Sequence, residues 1–216
     1  DFSVVMLDEQ ASPGGQVWRE KSQAILNAPK TPESVAGELI RNAISQSNVS
    51  HFGGVRVWHI ERSEDAFVIH YENAGVSCFL NCRSLVIATG AREHVQPIPG
   101  WTLPGVLGMA AATSIFKQDL IPIGSKMVVS GTGPLVFFVA AEQQRLGGKI
   151  SAVVTSNTFL DWMKAVPAML FRPRLLFRGL QWIITLYVKR IPVYWGHTLT
   201  RVDGKSSVSR VEFKKI

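Results

Sequence analysis

Between Lys126 and Leu146 a strand, a glycine pair and a helix follow one another without interruption. Lys126-Met-Val-Val-Ser130 reads as a buried strand, Gly131-Thr-Gly133-Pro134 as a turn, and Leu135 to Leu146 as a helix. Gly147-Gly148 stops that helix, and Ile150-Ser-Ala-Val-Val154 supplies a second strand. Gly131 gives the tight turn, and Gly133 lets a phosphate approach the backbone. Pro134 falls where a missing N–H costs little. The helix N-terminus then offers free N–H groups and a positive dipole end to a pyrophosphate. The chemistry this predicts is dinucleotide binding.

Two departures keep a second reading open. Val136 holds the third glycine position of the fingerprint, where a larger side chain would set helix and strand further apart. The end of the following strand, Val154-Thr155-Ser156-Asn157, carries neither the acid that selects NAD nor the arginine that selects NADP. Gly131 and Gly133 therefore bind NAD(P) or another adenine nucleotide, or they keep the shape without the ligand.

A second set of candidates lies near the start. Ser3 to Leu7 reads as a strand ending in Asp8-Glu9, and a carboxylate at such a strand end takes ribose hydroxyls. Glu9 is preferred over Asp8 by its spacing to Gly14; a solvated strand end is the alternative. Gly14 and Gly15, followed by Gln16, permit close backbone approach in the loop Ala11 to Arg19. No strand and glycine loop stand ahead of Ser3, and the sequence starts Asp1-Phe2 without Met. The expectation is an internal fragment whose first strand, glycine loop and first helix lie outside it.

Other chemistries find little support. Cys78 and Cys82 would stand roughly 13 Å apart on one strand, at about 3.3 Å per residue, so they read as structural. His51, His59, His70, His94 and His197 show no metal spacing, so no metal is expected. There is no Gly-x-Ser-x-Gly elbow and no His-Glu-x-x-His. Arg92 and His94 sit just past an apolar run, and exposed loop residues are their simpler reading.

The elements that position these groups alternate. Thr31 caps a helix that begins at Pro32 and runs to about Ser47. Val55 to Glu61, Ala66 to Tyr71 and Val76 to Asn81 form an antiparallel meander, turned at Glu72-Asn-Ala-Gly75. Ser84-Leu-Val-Ile-Ala-Thr-Gly90 returns as an apolar strand, and Leu107 to Lys117 reads as a helix. Pro167 and Pro173 should break Phe159 to Arg190 into short helices. Val193 to His197, Leu199 to Val202 and Val208 to Phe213 read as strands of the second sheet, with a turn at Asp203-Gly204.

At 216 residues and 46% apolar, the chain can bury a core and is not disordered by composition. Its net charge of +7 is uneven: Asp161 to Ile216 holds eleven Lys/Arg against three Asp/Glu, and the preceding residues twelve against thirteen. No nucleic-acid module accompanies that basic quarter. It faces an acidic partner, an anionic membrane surface or solvent, and Phe159 to Arg190 is the stretch for a peripheral contact. Gly179 to Val188 is too short to span a bilayer. Two cysteines and no signal peptide suit the cytoplasm.

The order of these motifs resembles the two-dinucleotide-domain FAD/NAD(P) flavoproteins. The carriers are the strand into Asp8-Glu9, Pro13-Gly-Gly-Gln16, the meander, Leu85-Val-Ile-Ala-Thr-Gly90, Pro97-Ile-Pro-Gly100, and a second glycine loop about forty residues on. More narrowly, Gly14-Gly-Gln-Val-Trp-Arg19, Pro99-Gly-Trp101 with Pro104-Gly-Val106, and Gly131-Thr-Gly-Pro-Leu135 are similar to the flavin subunits of multimeric amine and amino-acid dehydrogenases.

This resemblance covers essentially the whole chain. It implies an α/β fold of two Rossmann-like domains with an antiparallel meander, both incomplete. Residues 1–103 would be part of an FAD-binding domain, and residues 104–216 part of an inserted NAD(P)-binding-like domain. It places FAD beside Glu9, Gly14, Gly15, Gln16, the backbone at Val57, Thr89 and Gly90. It implies oxidation of an amino-acid or amine C–N bond, or relay of its electrons, and it implies a partner, a second oxidoreductase subunit. A flavin-dependent pyridine-nucleotide oxidoreductase with another acceptor is the alternative enzyme. A nucleotide-binding scaffold that docks a catalytic partner through Phe159 to Arg190 is the non-enzymatic one.

Overall fold

A computed structural model describes residues 3–22, 24–25 and 29–216; Asp1 and Phe2, where the sequence starts without Met, lie outside the described residues. The chain divides into two compact units, Asp1–Arg92 and Glu93–Ile216.

The first unit opens with a parallel pair. β1 (Val4–Asp8) lies beside β2 (Val49–Gly53), and α1 (Pro32–Ser45) runs between them in sequence. The Thr31 hydroxyl accepts the Ser34 N–H at 3.2 Å, and the Ser34 hydroxyl accepts the Thr31 N–H at 2.8 Å. With Pro32 first, this capping box starts the helix as its sequence requires. β2 is not legible in the sequence, because Val-Ser-His-Phe-Gly lacks the apolar run expected of a parallel strand.

The meander forms as expected. β3 (Arg56–Arg62), β4 (Phe67–Asn73) and β5 (Val76–Cys82) pair antiparallel in that order. Ala74 and Gly75, at φ of 51° and 81°, make the tight turn from β4 to β5.

The strand expected at Ser84 to Gly90 is not formed. The segment has no strand pairing, and Val86 and Ile87 are 86% and 70% exposed. An apolar run becomes a strand only beside a partner that accepts its backbone hydrogen bonds, and no described strand lies alongside it.

The second unit is built on β6 (Met127–Gly131), β7 (Ile150–Thr155) and β8 (Val193–Trp195), all parallel and in that order. α3 (Leu135–Arg145) crosses from β6 to β7. Its residues Val136, Phe137, Val139 and Ala140 join Phe116 of α2 (Met109–Gln118), Val129, Val153 and Leu186 in the core. Burying these side chains stabilises the unit by about 1.5–3 kcal/mol for each large one.

α4 (Phe159–Leu170) and α5 (Pro173–Val188) connect β7 to β8. Pro173 opens α5 as expected, but Pro167 lies inside α4 and does not break it. α4 has no buried residue, so the carbonyl that Pro167 leaves without a donor can be met by water. β9 (His197–Gly204) and β10 (Val208–Lys215) were expected in the second sheet but form an antiparallel pair of their own. The expected turn at Asp203-Gly204 falls at the end of β9.

The loop that follows Arg92 belongs to the second unit for a physical reason. The Glu93 carboxylate accepts the N–H groups of Met109 and Ala110 at 2.7 and 2.9 Å. The carbonyls of Pro99 and Pro104 accept the N–H groups of Val202 and Val208, both at 2.9 Å. These bonds fasten the loop to α2 and the β9–β10 pair. Among the described residues no helix is long and apolar enough to cross a membrane.

Candidate functional site

In the first unit the end of β1 is bonded to the chain ahead of β3, and the glycine loop is held to α1. Asp8 Oδ1 accepts the Gln10 N–H at 2.8 Å and so closes the turn after β1. Glu9 is exposed, with its Oε1 3.3 Å from Arg56 Nε. Of the two carboxylates, Glu9 is the one that projects beyond the turn. Val55 N–H donates to the Asp8 carbonyl at 3.0 Å, tying this turn to the chain ahead of β3.

Gly14 and Gly15 take φ of 128° and 55°, the left-handed side that favours glycine. A Cβ on Gly14 would sit 2.6 Å from the Trp18 carbonyl oxygen, whereas one on Gly15 would meet nothing within 4 Å. Gly14 is thus required by the turn, and Gly15 presents bare backbone to open space. Arg41 of α1 donates to the Trp18 carbonyl at 2.9 Å and holds the loop to the helix. Gln16 is exposed and bonded within the chain.

Val57 pairs with Tyr71 on one side of β3, whose other side is an edge of the meander. Thr89 and Gly90 are exposed, and Gly90 has φ of 72°. Arg92 and His94 are exposed as well. These features fit the adenosine end of a flavin nucleotide: an exposed carboxylate paired with Arg56, a bare glycine backbone and an open strand edge.

In the second unit Gly131 ends β6 opposite Thr155. Val136 does not act simply as a spacer. It is fully buried, and its Cγ2 lies 3.2 Å from where a Cβ on Gly131 would stand; Met109 Cε lies 2.6 Å from that point. Glycine at 131 therefore makes the room that Val136 and Met109 occupy. Gly133, at φ of 76°, has nothing within 4 Å of its absent Cβ. The helix geometry leaves the N–H groups of Leu135 and Val136 without an intrahelical acceptor.

Two residues of the strand end that carries neither acid nor arginine lie against this loop or its strand. Asn157 Oδ1 accepts the Gly133 N–H at 2.7 Å and the Thr132 hydroxyl at 3.2 Å. Thr155 is wholly buried, and its Oγ1 has no hydrogen-bond partner. A buried hydroxyl without a partner asks for a water or a ligand. The open glycine fits a nucleotide here. The position of Asn157, two residues past β7, is the signal that was available.

The remaining groups are arranged otherwise. His59 and His70 pair across the meander, each within 3.5 Å of Glu61 Oε1. No cluster able to hold a metal occurs among the described residues. Cys78 and Cys82 are free thiols on β5. On α5, Phe177, Leu180, Gln181, Ile184 and Thr185 line an apolar pocket of 240 Å³, and Phe171 beside it in sequence is 90% exposed. No carboxylate occurs between Asp161 and Asp203, a stretch holding Lys164, Arg172, Arg174, Lys189 and Arg190.

Comparison with known proteins matches residues 1–214 to the family described as pyridine nucleotide-disulphide oxidoreductase. The A subunit of opine oxidase from Agrobacterium tumefaciens is 32% identical over 168 residues, 73% of this chain and 32% of that protein. The HcnB subunit of hydrogen cyanide synthase from Pseudomonas aeruginosa is 26% identical over 220 residues, 96% of this chain and 45% of that protein. The chain thus spans about a third to just under a half of these relatives. Among solved structures, T. acidophilum thioredoxin reductase superposes with a TM-score of 0.66 at 16% identity, over 99% of this chain and 62% of that one. L-proline dehydrogenase from P. horikoshii gives 0.63 at 16% identity, over 99% and 35%. These two likenesses establish the fold: Rossmann-type dinucleotide-binding units with an antiparallel meander.

Proposed function

Because the chain belongs to the pyridine nucleotide-disulphide oxidoreductase family, whose members use FAD with NAD(P), we propose that it is part of an FAD-dependent oxidoreductase that acts on the C–N bond of an amino acid or amine. The observation that carries this reading is the 32% identity to the opine oxidase A subunit over 73% of the chain. Flavin, when bound, supplies the two-electron acceptor for such a bond; the protein supplies position and electrostatics.

In the first unit Glu9 meets the ribose, with Asp8 holding the turn behind it. Gly14 and Gly15 bring bare backbone to the nucleotide, Gln16 lies beside it, and the Val57 edge borders the adenine. Thr89 and Gly90 approach the diphosphate. The exposed run Val86 to Gly90 becomes a strand only beside a partner strand. The second unit is the inserted dinucleotide domain.

A second oxidoreductase subunit is the proposed partner, since both curated relatives are named as subunits. The surface of α4 beyond Asp161 and of α5, which carries no acid, is its proposed docking face, and an acidic partner or an anionic membrane suits that charge. The open loop at Gly131 and Gly133 favours one other reading, a flavin enzyme that takes electrons from a pyridine nucleotide.

Reconstituting the full-length protein with FAD tests this. The expected result is a flavin spectrum that bleaches anaerobically with an amino acid, an N-substituted amino acid or an amine. Bleaching by NADH or NADPH alone supports the second reading. A protein that stays flavin-free overturns both.

A further inference from the structure

α5 carries two apolar stripes where a surface helix needs one. Leu186 lies in the core of the second unit, Trp182 and Ile183 pack against that core, and Gly179 is buried on the same side. On the opposite side Phe177, Leu180, Ile184 and Val188 recur at three and four residues, and all are exposed. Phe177 and Val188, at 71% and 73% exposed, are as open as charged surface residues would be.

That outer stripe has the shape that receives another helix. Phe177, Leu180, Gln181 and Ile184 stand at i, i+3, i+4 and i+7, the corners of a hole that takes one side chain of a facing helix. These four, with Thr185, line the 240 Å³ apolar pocket. All five belong to α5, so whatever fills the hollow comes from another element. Gln181, Ile184, Thr185 and Val188 repeat the pattern one turn further on.

Charge and polarity choose the occupant. Arg174 and Arg178, four residues apart, run along one flank of the stripe, and Arg178 stands over the Trp182 ring at 5.7 Å. Lys189 and Arg190 follow the helix, and no carboxylate occurs between Asp161 and Asp203. A second copy laid parallel would set Arg174 against Arg174; laid antiparallel, it would set Arg174 near Lys189 and Arg190. A lipid surface would press the Gln181 carboxamide, in the middle of the stripe, among acyl chains that offer it no hydrogen bond. A helix of another protein can fill both holes, meet that carboxamide with a polar group and offer carboxylates to the arginines.

We propose that the outer face of α5 receives one amphipathic helix of a partner protein, with apolar side chains three or four residues apart and Asp or Glu along one flank. This deepens the proposed second subunit by naming the element it presents, and it rests on that subunit's presence.

The test uses the full-length protein purified from its own cells together with what it binds. Leu180→p-benzoylphenylalanine, irradiated and digested, should join α5 to a single segment of a different chain. Mass spectrometry should place the bonds three or four positions apart in a segment that bears Asp or Glu. Sedimentation of the purified complex should show Ile184→Asp weakening it by about tenfold or more. Arg174→Glu should weaken it by about threefold or more, and Arg174→Lys should not. Ile184 is exposed, so both variants should melt like wild type. Bonds to lipid, to a second copy, to another part of the same chain or to a segment without acids overturn the proposal. So do the absence of any second chain, unweakened binding in Ile184→Asp, and flotation with phosphatidylcholine–phosphatidylglycerol vesicles that Ile184→Asp abolishes. Flavin content and bleaching by amines are read on the same samples. A flavin-loaded, amine-reduced protein with no acidic helix on α5 fails this inference alone, and a colourless one that holds the helix fails the proposed activity alone.

Discussion

Gln143 closes both of its side-chain hydrogen bonds on the backbone of Ile123: Oε1 accepts the N–H and Nε2 donates to the carbonyl, each at 2.8 Å. The side chain is fully buried in α3, so it stands in for a strand partner that the Ile123 backbone lacks. Gln143→Leu would strand both backbone groups and should cost about 2–4 kcal/mol in urea unfolding. Gln143→Glu would set a carboxylate against the Ile123 carbonyl. Burial raises the pKa of such a carboxyl, so the variant should regain stability below about pH 4 and lose it as pH rises. Equal destabilisation at both ends of the pH range would show that the bond to the carbonyl is not the cause.

Gly100 is fixed by the β9 backbone. Its φ is 83°, and a Cβ there would run into the Val202 carbonyl oxygen. Val202 cannot withdraw, because its N–H is bonded to the Pro99 carbonyl at 2.9 Å. Gly100→Ala should therefore cost more than about 3 kcal/mol, well beyond the roughly 1–2 kcal/mol of left-handed strain alone. A melting temperature within a few degrees of wild type would contradict this packing.

What the sequence made legible follows from where each element gets its stability. The Gly131–Pro134 turn, α3 and β7 are local, with caps, glycines and apolar runs adjacent in the chain. The helix at Pro32 and the meander turn at Ala74-Gly75 were legible for the same reason. β2 was hidden because its short, polar-mixed stretch gains its strand form from β1, far off in sequence. Ser84 to Gly90 shows the converse, an apolar run without the neighbour that would make it a strand. Pro167 misled because propensity takes no account of solvent on an exposed helix. Glu93 and Asn157 were overlooked because their roles lie in bonds to backbone 16 and 24 positions away.

Asp161 and Thr158 cap α4 reciprocally. Asp161 Oδ2 accepts both the N–H and the hydroxyl of Thr158 at 2.8 Å, and the Thr158 hydroxyl accepts the Asp161 N–H at 3.2 Å. The Thr158 backbone N–H, followed by its hydroxyl, holds the Asp161 carboxyl below the ordinary aspartate range. A carboxyl with a depressed folded pKa stabilises above its unfolded value, and that contribution is lost as pH falls through the folded one. Protection of the first-turn amides of α4, measured against their intrinsic exchange rates at each pH, should fall across that acidic window in wild type. Asp161→Asn should flatten the response, and an unchanged acid response in that variant would rule out this carboxyl as the source.

Gly131 and Gly133 should separate packing from binding. A methyl at Gly131 would lie 2.6 Å from Met109 Cε and 3.2 Å from Val136 Cγ2. The end of Met109 is flexible and can yield, but Val136 is held in the core. Gly131→Ala should cost about 1–3 kcal/mol, and Met109→Ala should relieve part of it, so the double variant loses less than the two singles added. Gly133 presents the opposite case, with φ of 76° and open space where a Cβ would stand. Gly133→Ala should cost only the roughly 1–2 kcal/mol of left-handed strain. Its methyl, however, would enter the space that a pyrophosphate needs, so NADH and NADPH affinity should fall together by about tenfold or more. Calorimetric melting and nucleotide titration of both variants decide the matter. If Gly133→Ala binds nucleotide like wild type, the loop is a packing element, and Gly131 is the one glycine the fold requires there.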